Sequence, residues 1–282
     1  MTARKTSRLF SLVLTLTIFT LCLAVRAQAQ IETVLYSFPS LGSNGANPDG
    51  GLIFDSAGNM YGVTELGGQT ICSRSTYGCG VVYEMSPNGT GGWTQTPLYA
   101  FTGLTDGNFP TNNLVMDAAG NLYGVTVTGG DTSCNSPYGC GVVFELSPGS
   151  SGWTEIVLHT FTGAVTDGQG PNSLIQDVAG NLYGTTALGG ASNSGTVFKL
   201  SNGSSGWTES VLFSFDGATQ GANANGLVMD SSGQLIWHDW IRRKQQLLPS
   251  RMRCGLQARL WLSRLARNRD SCLQRPDRRH RA

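Results

Sequence analysis

Basic residues are almost absent from the centre of this chain. Residues 31–235 hold 15 acidic residues but only two basic ones, Arg74 and Lys199. Nucleic-acid binding needs a positively charged face, so this scarcity excludes nucleic acid as a partner of the central region. The same region contains a single histidine, His159. This shortage of imidazole disfavours a Ser-His-Asp catalytic site and a zinc centre built from several histidines.

Long apolar runs are missing after the first 25 residues. The chain begins with basic side chains, and a mostly apolar run follows over residues 9–25. Ala27-Gln-Ala29 then supplies the small residues of a signal-peptidase site. We therefore expect residues 1–29 to be a cleaved secretory signal, and the mature chain to be secreted, extracellular or at the cell surface without a stable membrane span. The alternative is an uncleaved anchor, although a membrane span needs roughly 20 apolar residues.

Helical periodicity is absent before residue 236, and a repeated motif is present instead. Its first copy, Asp55-Ser-Ala-Gly-Asn59-Met-Tyr61-Gly, returns at Asp117 and Asp177, and a fourth copy opens at Asp230. Each copy carries four short β-type segments. In the third copy these segments are residues 174–176, 182–186, 196–200 and 207–215.

Four strands joined by short turns cannot bury both of their faces alone, so the copies must stack. We therefore predict an all-β fold over residues 30–235: a β-propeller-like array of four-stranded antiparallel blades, incomplete, with three full repeats and a fragment. A linear solenoid is the alternative. Residues 33–38 match the last strand of the third copy, which predicts a further strand before the first blade.

The residues that recur in the motif have structural interpretations. An Asp side chain can cap a hairpin turn, and Gly and Asn tolerate positive φ there. A Trp after a Gly turn begins the last strand of each copy, and we expect it to pack between blades. These structural motif residues are Asp55, Asn59, Tyr61, Asp117, Asn121, Tyr123, Asp177, Asn181, Tyr183, Trp93, Trp153 and Trp207.

No catalytic, cofactor-binding or metal-binding residue is predicted. His159 stands where other copies have Tyr36, Tyr99 and Phe213, so we interpret it as a replaced aromatic strand residue. The acids at Asp106-Gly-Asn and Asp167-Gly-Gln lie between repeats. Their oxygens leave calcium open as an alternative, but plain turns are the expectation because the acids are too sparse for a dedicated calcium loop.

Two loops carry a pair of cysteines. Cys72 and Cys79 follow the second strand of the first copy, and Cys134 and Cys140 occupy the same loop of the second. The third copy has a shorter loop and neither cysteine. Both cysteines are present in the long loops and both are absent from the short one, which indicates that each pair forms a disulfide closing its own loop. An exported protein meets the oxidising conditions in which disulfides form. The alternative is a metal site, but Cys-x6-Cys and Cys-x5-Cys are not typical zinc spacings.

The tail, residues 236–282, reverses the charge pattern with 13 basic and three acidic residues. Where the fourth copy should read Tyr-Gly-Thr-Thr, the chain reads Ile236-Trp-His-Asp. Reading the same codons one nucleotide later permits Tyr-Gly-Thr-Thr directly after Leu235. The shifted frame also permits Gly-Cys-Gly-Val-Val-Tyr-Lys-Leu over residues 251–258. We therefore interpret the tail as out of frame and poorly structured, with a natural basic tail as the alternative.

The repeat pattern Gly-Leu-[IV]-x-Asp-x-x-Gly-Asn-Leu-Tyr-Gly-Thr-Thr, continued by Gly-Trp-Thr-Glu-x-Val-Leu-x-[ST]-Phe, resembles the GloVer repeat of bacterial HAF-type extracellular proteins. The resemblance covers residues 33–235. It implies export, often with a C-terminal anchor, and it implies neither an enzymatic activity nor catalytic residues. We expect a secreted, non-catalytic scaffold for an unknown extracellular protein or glycan. A carbohydrate-binding or carbohydrate-active propeller and a non-functional frameshifted fragment are the alternatives.

Overall fold

The computed structural model divides the chain into two units, Met1–Ser37 and Phe38–Ala282. The residues it describes are 32–69, 72, 75–239 and 245–247. The predicted leader, residues 1–29, lies outside them, as does most of the predicted out-of-frame tail. In the first unit, residues 32–37 form no regular secondary structure. Every described strand belongs to the second unit.

Fifteen β-strands and no helix occur among the described residues. The strands are β1 (Ala46–Phe54), β2 (Met60–Leu66), β3 (Val81–Pro87), β4 (Trp93–Ala100), β5 (Asn108–Met116), β6 (Leu122–Thr128), β7 (Val142–Gly149), β8 (Gly152–Thr160), β9 (Gly168–Gln176), β10 (Leu182–Gly189), β11 (Thr196–Gly203), β12 (Gly206–Ser214), β13 (Ala224–Met229), β14 (Leu235–Asp239) and β15 (Gln245–Leu247).

Each of the first three repeats folds into one antiparallel sheet of four strands in chain order. Repeat 1 comprises β1–β4, repeat 2 comprises β5–β8, and repeat 3 comprises β9–β12. The partial repeat 4 is the three-stranded sheet β13–β15. The prediction of a propeller-like, all-β array with three complete blades and a fragment is confirmed.

Two strand boundaries differ from the expectation. Residues 33–38, where a strand is predicted, form no regular secondary structure. Strand β14 continues to Asp239, four residues beyond the predicted end of the repeats at Leu235. Its backbone pairs with β13 on one side and β15 on the other.

The first strands of successive repeats are joined by polar contacts. The Asp49 carboxylate of β1 accepts hydrogen bonds from the Thr111 hydroxyl and, at 3.1 Å, from the backbone N–H of Asn112 in β5. Two strand pairs further on, the Asn172 side chain of β9 donates to the carbonyl of Ala224 in β13 at 3.0 Å. These contacts hold neighbouring sheets in a defined register.

The hydrophobic cores lie between repeats and not within them. One buried cluster combines side chains of repeats 1 and 2, a second combines repeats 2 and 3, and a third combines repeats 3 and 4. At the first interface the rings of Phe101 and Phe144 lie 5.1 Å apart in an edge-to-face arrangement. At the second interface Phe161 and Phe198 repeat that distance. A single repeat is therefore left with an uncovered apolar face, as the stacking prediction requires.

A glycine in the second strand of each complete repeat makes room for the aromatic ring on the third. A Cβ at Gly124 would lie 2.4 Å from Cζ of Phe144, and one at Gly184 would lie 2.3 Å from Cζ of Phe198. In repeat 4 the equivalent position is Trp237, which is 2% exposed. The indole of Trp237 therefore brings its own ring to the interface with repeat 3.

Candidate functional site

The hairpin motif forms the same hydrogen-bond network in each complete repeat. In repeat 2, the Asp117 carboxylate accepts from the backbone N–H groups of Ala119 and Asn121, both at 2.9 Å. The Asn121 side chain donates at 2.9 Å and the Tyr123 hydroxyl at 3.0 Å. The networks of Asp55 and Asp177 have the same donors at equivalent positions. The recurring acids therefore cap turns.

This network shifts the pKa of both acid and phenol. Burial opposes ionisation of Asp117, but the hydrogen bonds from Asn121 and Tyr123 outweigh it and hold its pKa below the ordinary value. The phenol of Tyr61 responds in the opposite direction: burial, the charge of Glu84 and the bond to Asp55 raise its pKa to about 12. The carboxylates thus stay charged, and their oxygens are taken up by hydrogen bonds from the turn, which suits a structural role better than proton transfer.

The recurring tryptophans contact the preceding repeat. The ring of Trp153 lies 6.4 Å from that of Tyr61 at an interplanar angle of 60°. Trp207 repeats the contact with Tyr123 at 6.2 Å. Both indoles are partly buried and pack against core clusters. Trp153 and Trp207 therefore connect repeats through edge-to-face aromatic contacts.

The disulfides predicted from the sequence are present. Cys72 pairs with Cys79, and Cys134 pairs with Cys140. Each bond closes the loop between the second and third strands of its repeat. Disulfides form and persist in oxidising surroundings, so both indicate an extracytoplasmic environment. Among the described residues no helix has the length and apolar character needed to span a bilayer.

Each disulfide loop carries an exposed tyrosine at the same place, directly before the Gly-Cys that ends the loop. Tyr77 is 60% exposed and Tyr138 is 54% exposed. Their backbones are held: the carbonyl of Tyr77 accepts from Gly67 and that of Tyr138 accepts from Gly129, both at 2.8 Å. Two phenol rings therefore project to solvent from short, doubly closed loops. The shorter loop of repeat 3 has no counterpart.

A cavity of about 250 Å³ lies beside the first of these tyrosines. Its lining includes Leu41, Gly67, Gln69 and Tyr77. A larger cavity of about 380 Å³ lies among the first strands of repeats 2 to 4. Its lining residues are Asn112, Asn113, Ser173, Leu174, Ile175, Gly226, Leu227, Val228, Ile236 and Trp237. Only the smaller cavity adjoins an exposed aromatic side chain of a disulfide loop.

A partly buried polar cluster joins repeats 1 and 2. The Tyr99 hydroxyl donates to the Asp106 carboxylate at 3.1 Å, and Thr102 donates to the same group through its backbone N–H at 2.7 Å. Glu155 of β8 approaches from the next repeat. Its burial, with the nearby charge of Asp106, raises the pKa of Glu155 to about 7.

The equivalent cluster between repeats 2 and 3 contains the only histidine of residues 30–235. His159 Nε2 lies 3.2 Å from Asp167 Oδ1. Thr162 donates to the other carboxylate oxygen through its backbone N–H at 2.8 Å and its hydroxyl at 2.7 Å. Burial opposes ionisation of Asp167, but these bonds hold its pKa below the ordinary value. Burial and the charge of Asp167 raise the pKa of Glu209 to about 7.

The sequence predictions missed this second cluster. His159 was interpreted only as a replaced aromatic residue, and it does pack edge-to-face on Phe161 at 4.7 Å. The structure also brings it to Asp167 and Glu209, which lie 8 and 50 positions away along the chain. An alignment of the copies offers a signal, since His159 aligns with Tyr99 while both acids recur. Of the two loops considered for calcium, each directs its acid, Asp106 or Asp167, into one of these clusters.

No family model and no curated protein matches the chain. Among solved structures, it is similar to a gluconolactonase from Xanthomonas campestris, with 12% identity and a TM-score of 0.41; the match covers 67% of this chain and 52% of the other. It is also similar to an endo-arabinase from Bacteroides thetaiotaomicron, with 11% identity and a TM-score of 0.38, over 74% and 75% of the two chains. The chain therefore spans about half the length of the gluconolactonase. At such low identity and TM-score, these similarities assign no activity to it.

Proposed function

We propose that the mature chain is a secreted, non-catalytic repeat protein of the GloVer type that presents loops to an extracellular protein or glycan. The observation that carries this proposal is the pair of exposed tyrosines, Tyr77 and Tyr138, at equivalent places in two disulfide-closed loops. A tyrosine on a rigid backbone offers a large contact area at a small entropic cost. Tyrosine is also among the residues enriched at binding hot spots.

The distribution of shared and variable residues supports a scaffold. Residues that recur in every repeat are used in the fold, as Asp117 is in its turn and Trp153 is between sheets. The loops after the second strand differ between repeats in length and in whether they carry the cysteines and the exposed tyrosine. Binding residues are commonly carried by loops that a rigid framework positions. Export is supported by the two disulfides together with the leader expected at residues 1–29.

Binding by the full chain to a glycan array and to an array of bacterial surface proteins tests the proposal. We expect specific binding on one of them, and the double variant Tyr77→Ala/Tyr138→Ala should weaken it at least about tenfold, equivalent to about 1.4 kcal/mol. Phe54→Ala is the matched control, because Phe54 is an aromatic residue that is 64% exposed. It ends strand β1 and pairs with Met60 at the start of β2, whereas the Tyr77 loop follows the other end of β2.

Three results would contradict the proposal. The folded chain could bind nothing specifically on either array. The double tyrosine variant could bind as well as the parent. Loss of glycan binding in Trp153→Ala, with unchanged binding by the tyrosine variant and an unchanged thermal midpoint, would instead favour carbohydrate binding through the recurring tryptophans.

A further inference from the structure

Two polar triads occupy equivalent places between repeats. Each consists of a ring from the last strand of one repeat, an acid from the loop that follows, and a glutamate two positions after the Trp of the next repeat. The first triad is Tyr99, Asp106 and Glu155, and the second is His159, Asp167 and Glu209. The two triads have the same acids and differ only in the ring, which is the phenol of Tyr99 in the first and the imidazole of His159 in the second.

The His159 triad has the geometry of a metal-ligand set. One potential ligand atom from each of His159, Asp167 and Glu209 lies within 4.8 Å of the other two. Asp167 is only 6% exposed, and its Oδ1 accepts from the backbone N–H of Gly168 at 2.7 Å. The carboxylate is therefore already oriented toward the imidazole before any ligand arrives.

The third member of the triad has an unsatisfied atom. Glu209 Oε1 is buried and has no hydrogen-bond partner in the described part of the chain. A buried carboxylate oxygen without a partner is costly, and one carboxylate oxygen of Glu209 lies within 4.8 Å of a carboxylate oxygen of Asp167. A cation between the two acids would satisfy the oxygen and relieve their repulsion.

We propose that His159 Nε2 and the carboxylates of Asp167 and Glu209 bind a divalent transition-metal ion, with Zn²⁺ as the preferred ion. One imidazole nitrogen and two carboxylate oxygens are ligands that Zn²⁺ accepts, while the nitrogen disfavours Ca²⁺ and Mg²⁺. Three protein ligands leave a fourth position for water. The ion takes the place of the proton between Nε2 and Oδ1, and it ties strand β8 of repeat 2 to strand β12 of repeat 3.

The first triad provides a matched pair of variants. His159→Tyr installs the phenol that Tyr99 already places against an acid, so the fold should be retained while the nitrogen ligand is lost. Tyr99→His performs the reverse change in the first triad. Both are made in the full chain with Cys254→Ser and Cys272→Ser, so that these two thiols of the tail do not bind the added metal.

Zn²⁺ bound per chain is measured by equilibrium dialysis and elemental analysis. Relative to the parent, we expect His159→Tyr to bind one ion fewer and Tyr99→His to bind one ion more. The proposal is overturned if His159→Tyr binds as much Zn²⁺ as the parent, or if folded Tyr99→His gains no ion.

Thermal unfolding with and without Zn²⁺ supplies a second readout. Zn²⁺ should raise the midpoint of the parent, because a ligand that binds only the folded state stabilises it, and it should raise that of His159→Tyr less. Glu209→Gln should weaken Zn²⁺ binding at least tenfold. Loss of a residue that only hydrogen-bonds to a metal ligand already costs roughly 10–100-fold in affinity, and Glu209 is proposed as a ligand itself. An unchanged affinity in Glu209→Gln also overturns the assignment.

Discussion

The rings of Phe215 and Trp237 lie 5.7 Å apart, nearly perpendicular, across the interface between repeats 3 and 4. At the two preceding interfaces the same contact joins Phe161 to Phe198 and Phe101 to Phe144, where the second ring comes from a third strand. In repeat 4 it comes from the second strand instead. Trp237 thus substitutes for the third-strand ring of the earlier repeats.

Trp237→Ala should lower the free energy of unfolding by about 3–5 kcal/mol, because it empties a fully buried site. Trp237→Phe should cost clearly less. It keeps a ring against Phe215 and removes Trp237 Nε1, which is buried without a hydrogen-bond partner in the described part of the chain. Urea unfolding followed by circular dichroism distinguishes the two. Equal losses in both variants would show that the ring contact contributes little.

Asp177→Ala should destabilise repeat 3 by about 2–3 kcal/mol, since it removes an acceptor used by four donors. Hydrogen bonds outweigh burial and lower the pKa of Asp177, so the stabilisation is present above its ordinary value of 3.8 and is lost as the pH falls through the lowered pKa. The difference between variant and parent should therefore shrink in acid.

Val178→Ala is the control for this change, because Val178 is the next residue of the same turn and is fully exposed. Urea midpoints at pH 7 and below pH 3 provide the comparison. A difference that stays constant over this range would contradict the role of the ionised carboxylate.

Glu155→Gln should make stability less dependent on pH. Burial, together with the charge of Asp106, raises the pKa of Glu155 to about 7 from an ordinary 4.5. A raised carboxyl pKa means that the parent loses stability as the pH rises from 4.5 through 7. Because the side chain is only half-buried, screening reduces the effect to about 1–2 kcal/mol.

The variant should accordingly be more stable than the parent at pH 8 and similar to it at pH 4. Glu145→Gln, on the adjacent strand β7, controls for the loss of one negative charge from the same sheet. Thermal midpoints across pH 4–8 are the measurement. Parallel curves for Glu155→Gln and the parent would count against a strained carboxylate at this interface.

Cys134→Ala/Cys140→Ala should lower stability by roughly 2–3 kcal/mol, the entropy that closing a loop of this length removes from the unfolded chain. The variant should also be cut faster by chymotrypsin at Tyr138, which is exposed in the loop. Phe54, exposed outside the disulfide loops, serves as the reference cleavage site. Unchanged stability and cleavage rate would mean that the loop is held by its backbone hydrogen bonds alone.

The repeated parts of this fold could be predicted from the sequence because each copy supplied the same local signals. The strand segments expected in the third copy, residues 174–176, 182–186, 196–200 and 207–215, fall on β9–β12, except that the last extends one residue beyond β12. The disulfides were predictable because the cysteine pairs vary with loop length. Local turn chemistry and alternation were sufficient for these features.

Features that depend on distant pairing could not be predicted in this way. The segment at residues 33–38 has the composition of a strand but forms none, because strand formation depends on tertiary context as well as on composition. The triad of His159, Asp167 and Glu209 draws on three elements separated along the chain, so that only a comparison of whole copies, and no single segment, offers a signal for it. Trp237 lies in the predicted out-of-frame tail, and no local pattern predicted that its indole would pack against Phe215 of repeat 3.

The placement of each core between repeats has a genetic consequence. The contact between Phe101 and Phe144 at the first interface is repeated by Phe161 and Phe198 at the second. The two contact faces of one repeat therefore match those of its neighbours. Duplicating a whole repeat would create a junction of a kind the protein already contains, and deleting one would restore another such junction. Such a gene can change its copy number in whole units without redesigning an interface, while each new copy brings another loop free to diverge.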